Sequence, residues 1–379
     1  MIQRLSSPWP LLLLDQMFVG LIQKRLCINL PFALLIATCA LVNSNSWAVQ
    51  GAATTEFRAA PADDALALAY DCLAAVALVN RGEIKSVRRA KTSADQLIAT
   101  LQVDDDGQSG WPYTQRKTAK VALCREAGSI DPFGDGTCNP PETPYMIQTG
   151  YAAACLTQLS LATGDANYLT LAKEAIDDSW YLGTSLPGCR ECFYYWYSYH
   201  PNDEGRYVRN TNLIMGLGVA WMYAATGDDK YRDRALAIAR AEHREIKANN
   251  FGYFGIDDIR YKINPKLEAE RIENHMPHQV KALKDIGVLL GNSQALEDSK
   301  VMLDAFLDCR NSRCRPNNCK AWAAPIACRS TATIAPCIWA SRGEPYQSRC
   351  EDVLKLLPRL NAFQTFLRYS QSDVVRLRR

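Results

Sequence analysis

The stretch ATGDANYLTLAKEA, residues 162–175, is followed later in the chain by a close copy, ATGDDKYRDRALAI, residues 225–238. In both copies a Gly-Asp pair, Gly164-Asp165 or Gly227-Asp228, separates an apolar segment from an amphipathic one. Glycine readily adopts the left-handed conformation that ends a helix, and an aspartate side chain caps the start of the next one. The repeat therefore predicts two helical hairpins, each with its turn at the Gly-Asp pair.

Two weaker copies of this turn extend the pattern. Gly291-Asn292 lies between the segments HQVKALKDIGVLL and SQALEDSKVMLDAFL, and Asn replaces Asp in the capping role. Gly82-Glu83 marks an earlier turn, and an insertion rich in Pro, Gly and Cys, roughly residues 115–144, separates it from the second hairpin. The chain is therefore expected to contain at least four hairpins of similar length.

The two helices of each predicted hairpin differ in where they place charge. The first segments, such as YAAACLTQLSLA (151–162), are apolar almost all round, whereas the second, such as YRDRALAIARAEHREIK (231–247), carry one charged face. This pattern favours a ring with first helices inside and second helices outside. We predict an all-α fold: an α/α toroid, an incomplete ring of about four to five helical hairpins with short strands or loops at one mouth. An open solenoid is the alternative.

The motif ATGD(D/A)xY after an apolar helix, together with SGWPY at 109–113, is typical of a known architecture. On these residues the chain resembles the α/α toroid enzymes, the six-hairpin glycosidase-like and polysaccharide lyase group, over roughly residues 62–310. No closer family is identified. The resemblance implies a sugar cleft formed by loops at one mouth of the ring.

The first 48 residues have the pattern of an export signal. Lys24 and Arg25 precede an apolar run from Cys27 to Val42, and Ser46-Trp47-Ala48 supplies small residues for cleavage. We therefore predict three segments: 1–48 as the signal, 49–308 as the toroid hairpins, and 309–379 as a disulfide-rich segment and closing helix of the same domain. A secreted or periplasmic location follows. A retained membrane anchor and a lipidated Cys39 are the alternatives.

The cysteines support an oxidising compartment. Of the 14 cysteines, Cys27 and Cys39 fall in the predicted signal, which leaves an even number for disulfides. Zinc binding at the CxxC of Cys189 and Cys192 is the alternative, although no second paired cluster accompanies it. The predicted closing helix spans residues 354–377, with Pro358 as a break or a first-turn residue.

Charge and motifs exclude several function classes. The net charge of +3 is spread along the chain, which is too weak a pattern for nucleic-acid binding. No phosphate loop, dinucleotide fingerprint or nucleophile elbow occurs. We therefore expect a polysaccharide or oligosaccharide partner, no nucleic acid, no stable membrane span in the mature chain, and neither a metal site nor a cofactor. A structural or catalytic divalent cation and the oligomeric state stay open.

The starts of the predicted inner helices gather polar residues on one rim. Asn and Arg can neutralise a sugar carboxylate, and His or Tyr can transfer the neighbouring proton. By resemblance to toroid lyases, the predicted catalytic residues are Asn212 and Arg209 as carboxylate holders, His275 as base, and Tyr207 or Tyr145 as proton donor. The alternative is that Asn274 only caps a helix and His275 only fills its first turn.

Aromatic loops lead to the same rim, at 110–113, 192–200 and 251–254. Aromatic rings can stack on sugars while their polar atoms form hydrogen bonds. The predicted substrate-binding residues are Trp111, Tyr113, Trp196, Tyr197, His200, Tyr253, Asn274, His278 and Asp258. Core packing is the alternative for each aromatic residue.

These patterns lead to three functional hypotheses. The first is a secreted polysaccharide lyase that acts on a uronate-containing glycan by β-elimination. The second is a glycoside hydrolase with paired carboxylates, such as Asp258 with Glu142 or Glu204. The third is a non-catalytic glycan-binding or envelope protein.

Overall fold

The computed structural model of the chain describes residues 64–104, 106–113, 139–140, 142–248, 265–311, 331–343, 345–356 and 360–369. It describes the backbone alone for residues 202, 248, 265–276, 305–311, 331–333, 342, 356, 363 and 369. The predicted export signal, Tyr253 and Asp258 lie outside these residues. In chain order the described α-helices are α1 (Ala65–Asn80), α2 (Ser86–Ile98), α3 (Met146–Thr163), α4 (Ala166–Asp178), α5 (Arg209–Thr226), α6 (Asp229–Ala248), α7 (Pro265–Leu290), α8 (Ser293–Asn311), α9 (Tyr346–Leu356) and α10 (Ala362–Tyr369).

The helical hairpins turn at the predicted glycines. Gly164 and Gly227 adopt positive φ angles of 75° and 72°, which end α3 and α5. Asp165 then accepts a hydrogen bond from the backbone of Asn167 at 3.2 Å, and Asn292 caps α8 in the same way through Ala295 at 2.7 Å. The first hairpin differs, because α2 begins after Lys85 without a side-chain cap and Glu83 has no such role.

The inner helices follow one another around a ring. Helix α3 packs between α1 and α5, and α5 packs between α3 and α7. A 3₁₀ helix (Thr331–Ile338) packs against α7 and α10, and α10 packs against α1, which brings the inner elements back to their starting point. Each of α2, α4, α6 and α8 packs outside its hairpin partner. The prediction of an all-α fold, an α/α toroid formed as an incomplete ring of about four to five helical hairpins, is confirmed.

The burial pattern explains this arrangement. Helices α1, α3 and α5 bury residues on nearly all sides, whereas α4 buries one stripe. Helices α3 and α5 also approach closely, since a Cβ added to Gly150 would lie 2.5 Å from the carbonyl oxygen of Ile214. Glycine is therefore required at Gly150 because the backbone of α5 occupies the space of a side chain.

Short strands cover one mouth of the ring. Strand β1 (Gln102–Val103) pairs antiparallel with β2 (Ser109–Gly110), and β3 (Gly183–Leu186) pairs antiparallel with β4 (Cys189–Tyr195). Isolated bridges join Pro112 to Pro144 and Tyr145 to Ser198. The loops after α2 and α4 therefore meet at the start of α3, as the predicted mouth requires.

Two helix boundaries differ from the prediction. Helix α7 begins at Pro265 and contains Pro277, so Asn274 lies inside the helix and does not cap it. The predicted closing helix is instead two elements, α9 and α10. Pro277 is accommodated inside α7, although prolines usually interrupt helices. Pro358, a predicted break in the closing helix, lies outside the described residues.

Three disulfides occur among the described residues: Cys72–Cys155, Cys189–Cys192 and Cys337–Cys350. The first links the inner helices α1 and α3. The second shows that the CxxC pair forms a disulfide at the β3–β4 hairpin, so its cysteines are not zinc ligands there. Within the described part of the chain, no helix combines the length and apolar character that crossing a membrane requires.

Candidate functional site

The mouth of the ring lies at the N-terminal ends of the inner helices, opposite the glycine turns. Residues 195–198 reach the starts of two of them: the backbone N–H of Tyr195 donates to Asn212 Oδ1 of α5 at 3.0 Å, and Ser198 bridges to Tyr145 before α3. Helix starts present backbone N–H groups and a positive dipole end. This end therefore combines polar helix starts with aromatic loops.

A histidine and two tyrosines meet at the centre of the ring, below this mouth. The hydroxyl of Tyr151 on α3 lies 2.5 Å from Nδ1 of His278 on α7. The ring of Tyr70, on α1, packs 5.1 Å from Tyr151 and 6.0 Å from His278. Phe366 of α10 packs against Tyr151 at 6.0 Å. Four inner helices thus contribute to one cluster, and the sequence separates its members widely.

A buried ion pair lies further along α7, beyond His278. Lys281 and Asp285 form a salt bridge, and each side chain is 1% exposed. The Lys281 ammonium also lies 5.2 Å from the ring centroid of Phe366.

Burial raises the pKa of Tyr151 well above its usual value, and Tyr70 and Asp285 raise it further. The Tyr151 hydroxyl is therefore protonated at neutral pH and can donate a hydrogen bond.

An aromatic wall leads from this centre towards the loops. Tyr113 packs edge-on to Tyr145 at 5.3 Å, and Tyr145 packs on Tyr197 at 5.5 Å. The Arg206 guanidinium lies 4.5 Å from the ring centroid of Tyr197 and pairs with Asp203 at 2.8 Å. Tyr145 and Tyr197 are buried, whereas Tyr113 is half-buried. Tyr113 is therefore the member of the wall best placed to contact a ligand.

Three predicted catalytic residues come together elsewhere, between α5 and α6. Arg209 forms a buried salt bridge with Glu242, with its Nε 3.2 Å from Oε2, and the Tyr207 hydroxyl lies 3.4 Å from the same oxygen. Asn212, also near Tyr207, accepts a hydrogen bond from the backbone N–H of Tyr195, and among the described residues its side-chain nitrogen has no partner. Burial and Glu242 raise the pKa of Tyr207 well above its usual value. Arg209 therefore pairs with the carboxylate of Glu242, whereas the prediction paired it with the carboxylate of a sugar.

The other predicted site residues differ in burial and in position. Trp111 is fully buried and donates its indole N–H to Leu97 O at 2.8 Å, so it packs in the core and does not present a face to the mouth. Trp196 and His200 are half-buried in the loop after β4. Asn274 and His275 lie on α7 about one helical turn before His278, and only their backbone is described.

Three buried carboxylates of the described residues, near the mouth or further along α7, are each paired with a cation. Asp203 binds Arg206, Glu242 binds Arg209, and Asp285 binds Lys281. Asp203 also accepts a hydrogen bond from Asn139 at 2.9 Å. The predicted hydrolase carboxylates Glu142 and Glu204 are exposed. Among the described residues, no group of three or more His, Cys, Asp or Glu is placed to hold a metal ion.

Gln148 is a polar residue of α3 that the described residues leave without a partner. It lies three residues before Tyr151, nearer the mouth, and is 1% exposed. Within the described part of the chain, neither its side-chain oxygen nor its nitrogen has a hydrogen-bond partner. A buried amide without partners is costly, which makes Gln148 a candidate for contact with a ligand.

Five residues of these clusters were not predicted from the sequence: Tyr70, Tyr151, Lys281, Asp285 and Glu242. One signal was available: Lys281 and Asp285 are charges on a segment otherwise expected to be buried on all sides, which is unusual unless they are paired. Tyr151 gave no such signal, because a tyrosine at the start of an apolar helix is ordinary core composition. Its contact with His278 depends on the packing of α3 across the ring from α7.

The fold is that of the α/α toroid enzymes. The chain is similar in structure to a sugar epimerase from a ruminal bacterium (11% identity, TM-score 0.52, covering 79% of this chain and 77% of that one). It is also similar to the cellobiose 2-epimerase of Bacillus thermoamylovorans (11% identity, TM-score 0.53, covering 79% of this chain and 78% of that one). A third similar structure is the cellobiose 2-epimerase of Spirochaeta thermophila (11% identity, TM-score 0.51, covering 83% of this chain and 86% of that one). No family model matches the chain, and no curated protein matches it in sequence. At this identity the likeness defines the fold.

Proposed function

We propose that the chain is a carbohydrate-processing enzyme that binds a sugar at the mouth of the toroid and transfers a proton at a carbon beside its carbonyl group, as in epimerisation or isomerisation. The observation that carries this proposal is the pairing of His278 with Tyr151 at the centre of the ring, 2.5 Å apart. Three toroids of similar fold that are described as sugar epimerases support it.

This chemistry needs two kinds of group. A base removes the proton from carbon, and a hydrogen-bond donor stabilises the charge that develops on the carbonyl oxygen. His278 lies in the right part of the ring to take part, and we keep His275, about one helical turn away, as the proposed base. Tyr113 is the proposed stacking surface for the sugar, and Gln148 a proposed partner for one of its hydroxyl groups.

The polysaccharide lyase predicted from the sequence would share the proton removal but also needs a group that neutralises the uronate carboxylate. Asn212 and Arg209 were the predicted candidates, and the salt bridge between Arg209 and Glu242 argues against Arg209. We therefore favour a reaction that leaves the glycosidic bond intact. Hydrolysis is less favoured because Asp203, Glu242 and Asp285 are each paired with a cation.

We further propose that the enzyme acts outside the cytoplasm. The three disulfides of the described residues support this location, because disulfides persist in oxidising compartments. The predicted export signal of residues 1–48 is consistent with it. A fusion of residues 1–48 to a reporter enzyme, assayed in the periplasm and medium, tests the location directly.

One experiment separates the reaction classes. The full chain is incubated in D₂O with a panel of neutral and uronate-containing reducing sugars and oligosaccharides, and the products are analysed by mass spectrometry. Epimerisation or isomerisation exchanges a carbon-bound hydrogen for deuterium without changing chain length. Elimination yields unsaturated ends, and hydrolysis adds the mass of water. Deuterium in unbroken sugars supports the proposal, whereas cleavage products without such exchange would overturn it.

A further inference from the structure

We propose that Tyr151 is a positioning residue that holds neutral His278 in the tautomer with its proton on Nε2. His278 then faces the sugar as a hydrogen-bond donor to oxygen, and a different group removes the proton from carbon. The assignment of the tautomer rests on the hydrogen bond between the Tyr151 hydroxyl and Nδ1 of His278. The role towards a sugar rests on the proposed function.

The hydrogen-bonding capacity of Tyr151 fixes the direction of the bond. Its hydroxyl is buried, and among the described residues its contact with His278 Nδ1 is its one hydrogen bond. If Tyr151 donates, its proton and the Nδ1 lone pair satisfy each other. If Nδ1 carried a proton and donated to Tyr151, the hydroxyl hydrogen would be buried without an acceptor. An unsatisfied buried donor is costly enough to disfavour that state by roughly tenfold or more.

The surroundings keep Tyr151 a donor. Burial is the main reason that its pKa is raised, with Tyr70 on α1 and Asp285 on α7 adding to the effect. The hydroxyl therefore does not lose its proton to bulk solvent at neutral pH. Lys281, one turn along α7 from His278, is compensated by Asp285, so the ion pair adds little net charge beside the imidazole.

The neighbouring rings restrict how Tyr151 and His278 can move. Tyr70 packs edge-on to Tyr151, at an interplanar angle of 72°, and is tilted at 39° to His278. Phe366 packs edge-on to Tyr151 from α10 at 88°. Rings packed at these angles in a close-packed interior have few alternative rotamers. The Tyr151–His278 bond is therefore preformed before any sugar arrives.

The tautomer determines what His278 can do. A neutral imidazole that accepts at Nδ1 has its proton on Nε2 and offers no lone pair there. It can donate a hydrogen bond to a carbonyl or enediolate oxygen, and it keeps its proton while doing so. It does not abstract a proton from carbon through Nε2. The enzyme therefore divides the work between His278, which stabilises negative charge on oxygen, and a separate base.

The test is a nitrogen-15 NMR measurement on the full chain labelled in its histidines. The four histidines are few enough to resolve, and the His278→Gln variant assigns the signal of interest. We expect wild-type His278 at neutral pH to have an unprotonated Nδ1 and a protonated Nε2. In Tyr151→Phe the excess of this tautomer should fall by about tenfold or more. The matched control is Tyr168→Phe, which removes a tyrosine hydroxyl that donates to Asp95 at 2.9 Å on the outer helices.

Two results would overturn the inference: a proton on Nδ1 of wild-type His278 at neutral pH, or a Tyr151→Phe spectrum identical to that of the wild type. The wild-type spectrum decides the matter even if Tyr151→Phe fails to fold. The measurement needs no sugar, so its outcome is separate from that of the product screen. If the chain processes no sugar in the product screen but His278 has the expected tautomer, the proposed function is contradicted and the tautomer assignment stands.

Discussion

The buried salt bridge between Arg209 and Glu242 allows a structural role to be separated from a substrate-binding role. Both side chains are buried, at 2% and 0% exposure, and they join inner helix α5 to outer helix α6. Replacing Arg209 by Met leaves the Glu242 carboxylate buried without its cation. Breaking a buried pair in this way costs about 3–5 kcal/mol.

The size of the effect on thermal stability follows from the size of the domain. Each kcal/mol shifts Tm by about 2 °C in a domain above 250 residues, so Arg209→Met is expected to lower Tm by roughly 6–10 °C. The double variant Arg209→Met/Glu242→Leu removes both charges and should recover most of this loss. Tyr207 loses one hydrogen-bond partner in the double variant, which leaves a remaining cost of about 1 kcal/mol.

Differential scanning calorimetry of the wild type, the single variant and the double variant measures these shifts. Activity on any sugar found in the product screen is measured on the same samples. We expect the double variant to be nearly as stable as the wild type and to keep activity. A stable double variant that has lost binding of a uronate sugar, or a single variant with unchanged Tm, would refute this reasoning and return Arg209 to its predicted role.

Three further predictions follow from single features of the fold. Gln148→Leu should raise the free energy of unfolding by about 1 kcal/mol, because it removes a buried amide without described partners, while weakening sugar binding; a lower urea midpoint would contradict this. Gly150→Ala should destabilise by about 1–3 kcal/mol because its Cβ meets the backbone of α5. The Cβ of Gly216→Ala meets side chains, Ile238 at 2.9 Å and Ile286 at 3.3 Å, and not backbone, so this variant should cost less. Equal urea midpoints for the two variants would argue against the close helix approach. Burial raises the pKa of Tyr195 to about 12, so the folded chain keeps a proton that the unfolded chain releases above about pH 10. The contribution of Tyr195 to the free energy of unfolding is therefore fully present below pH 10 and falls between pH 10 and 12, by up to about 1.4 kcal/mol per pH unit. A urea midpoint that is constant across this range would contradict the raised pKa of Tyr195.

The hairpins could be predicted because their signals are local. A glycine that ends one helix and an Asp or Asn that caps the next are adjacent in sequence, and the structure has these turns at Gly164, Gly227 and Gly291. The division into inner and outer helices was also readable from the charge of each segment. The start of α7 was not, because Pro277 resembles a helix boundary until the packing of the surrounding ring is known.

The candidate site was predictable only in part. The prediction placed His278 at the mouth for substrate binding, and the structure puts it at the centre of the ring with Tyr151. The role of His278 towards a sugar remains a proposal. The partners of His278 and Arg209 come from other helices, and the sequence has no periodicity that links them. Contacts across a ring depend on how far each helix is rotated about its axis, which small packing differences decide. Residue types at one rim could therefore be inferred, but their pairings could not.

The most direct test of the central claim is the rate of deuterium incorporation into a processed sugar by His278→Gln compared with the wild type. The matched control is His243→Gln, since His243 lies on outer helix α6, where it binds Asp298 at 2.9 Å. We predict that His278→Gln lowers the rate by about 10²–10³-fold, as expected for loss of a group that stabilises negative charge on oxygen, while His243→Gln stays near the wild-type rate. A folded His278→Gln variant that exchanges deuterium at the wild-type rate would contradict the account.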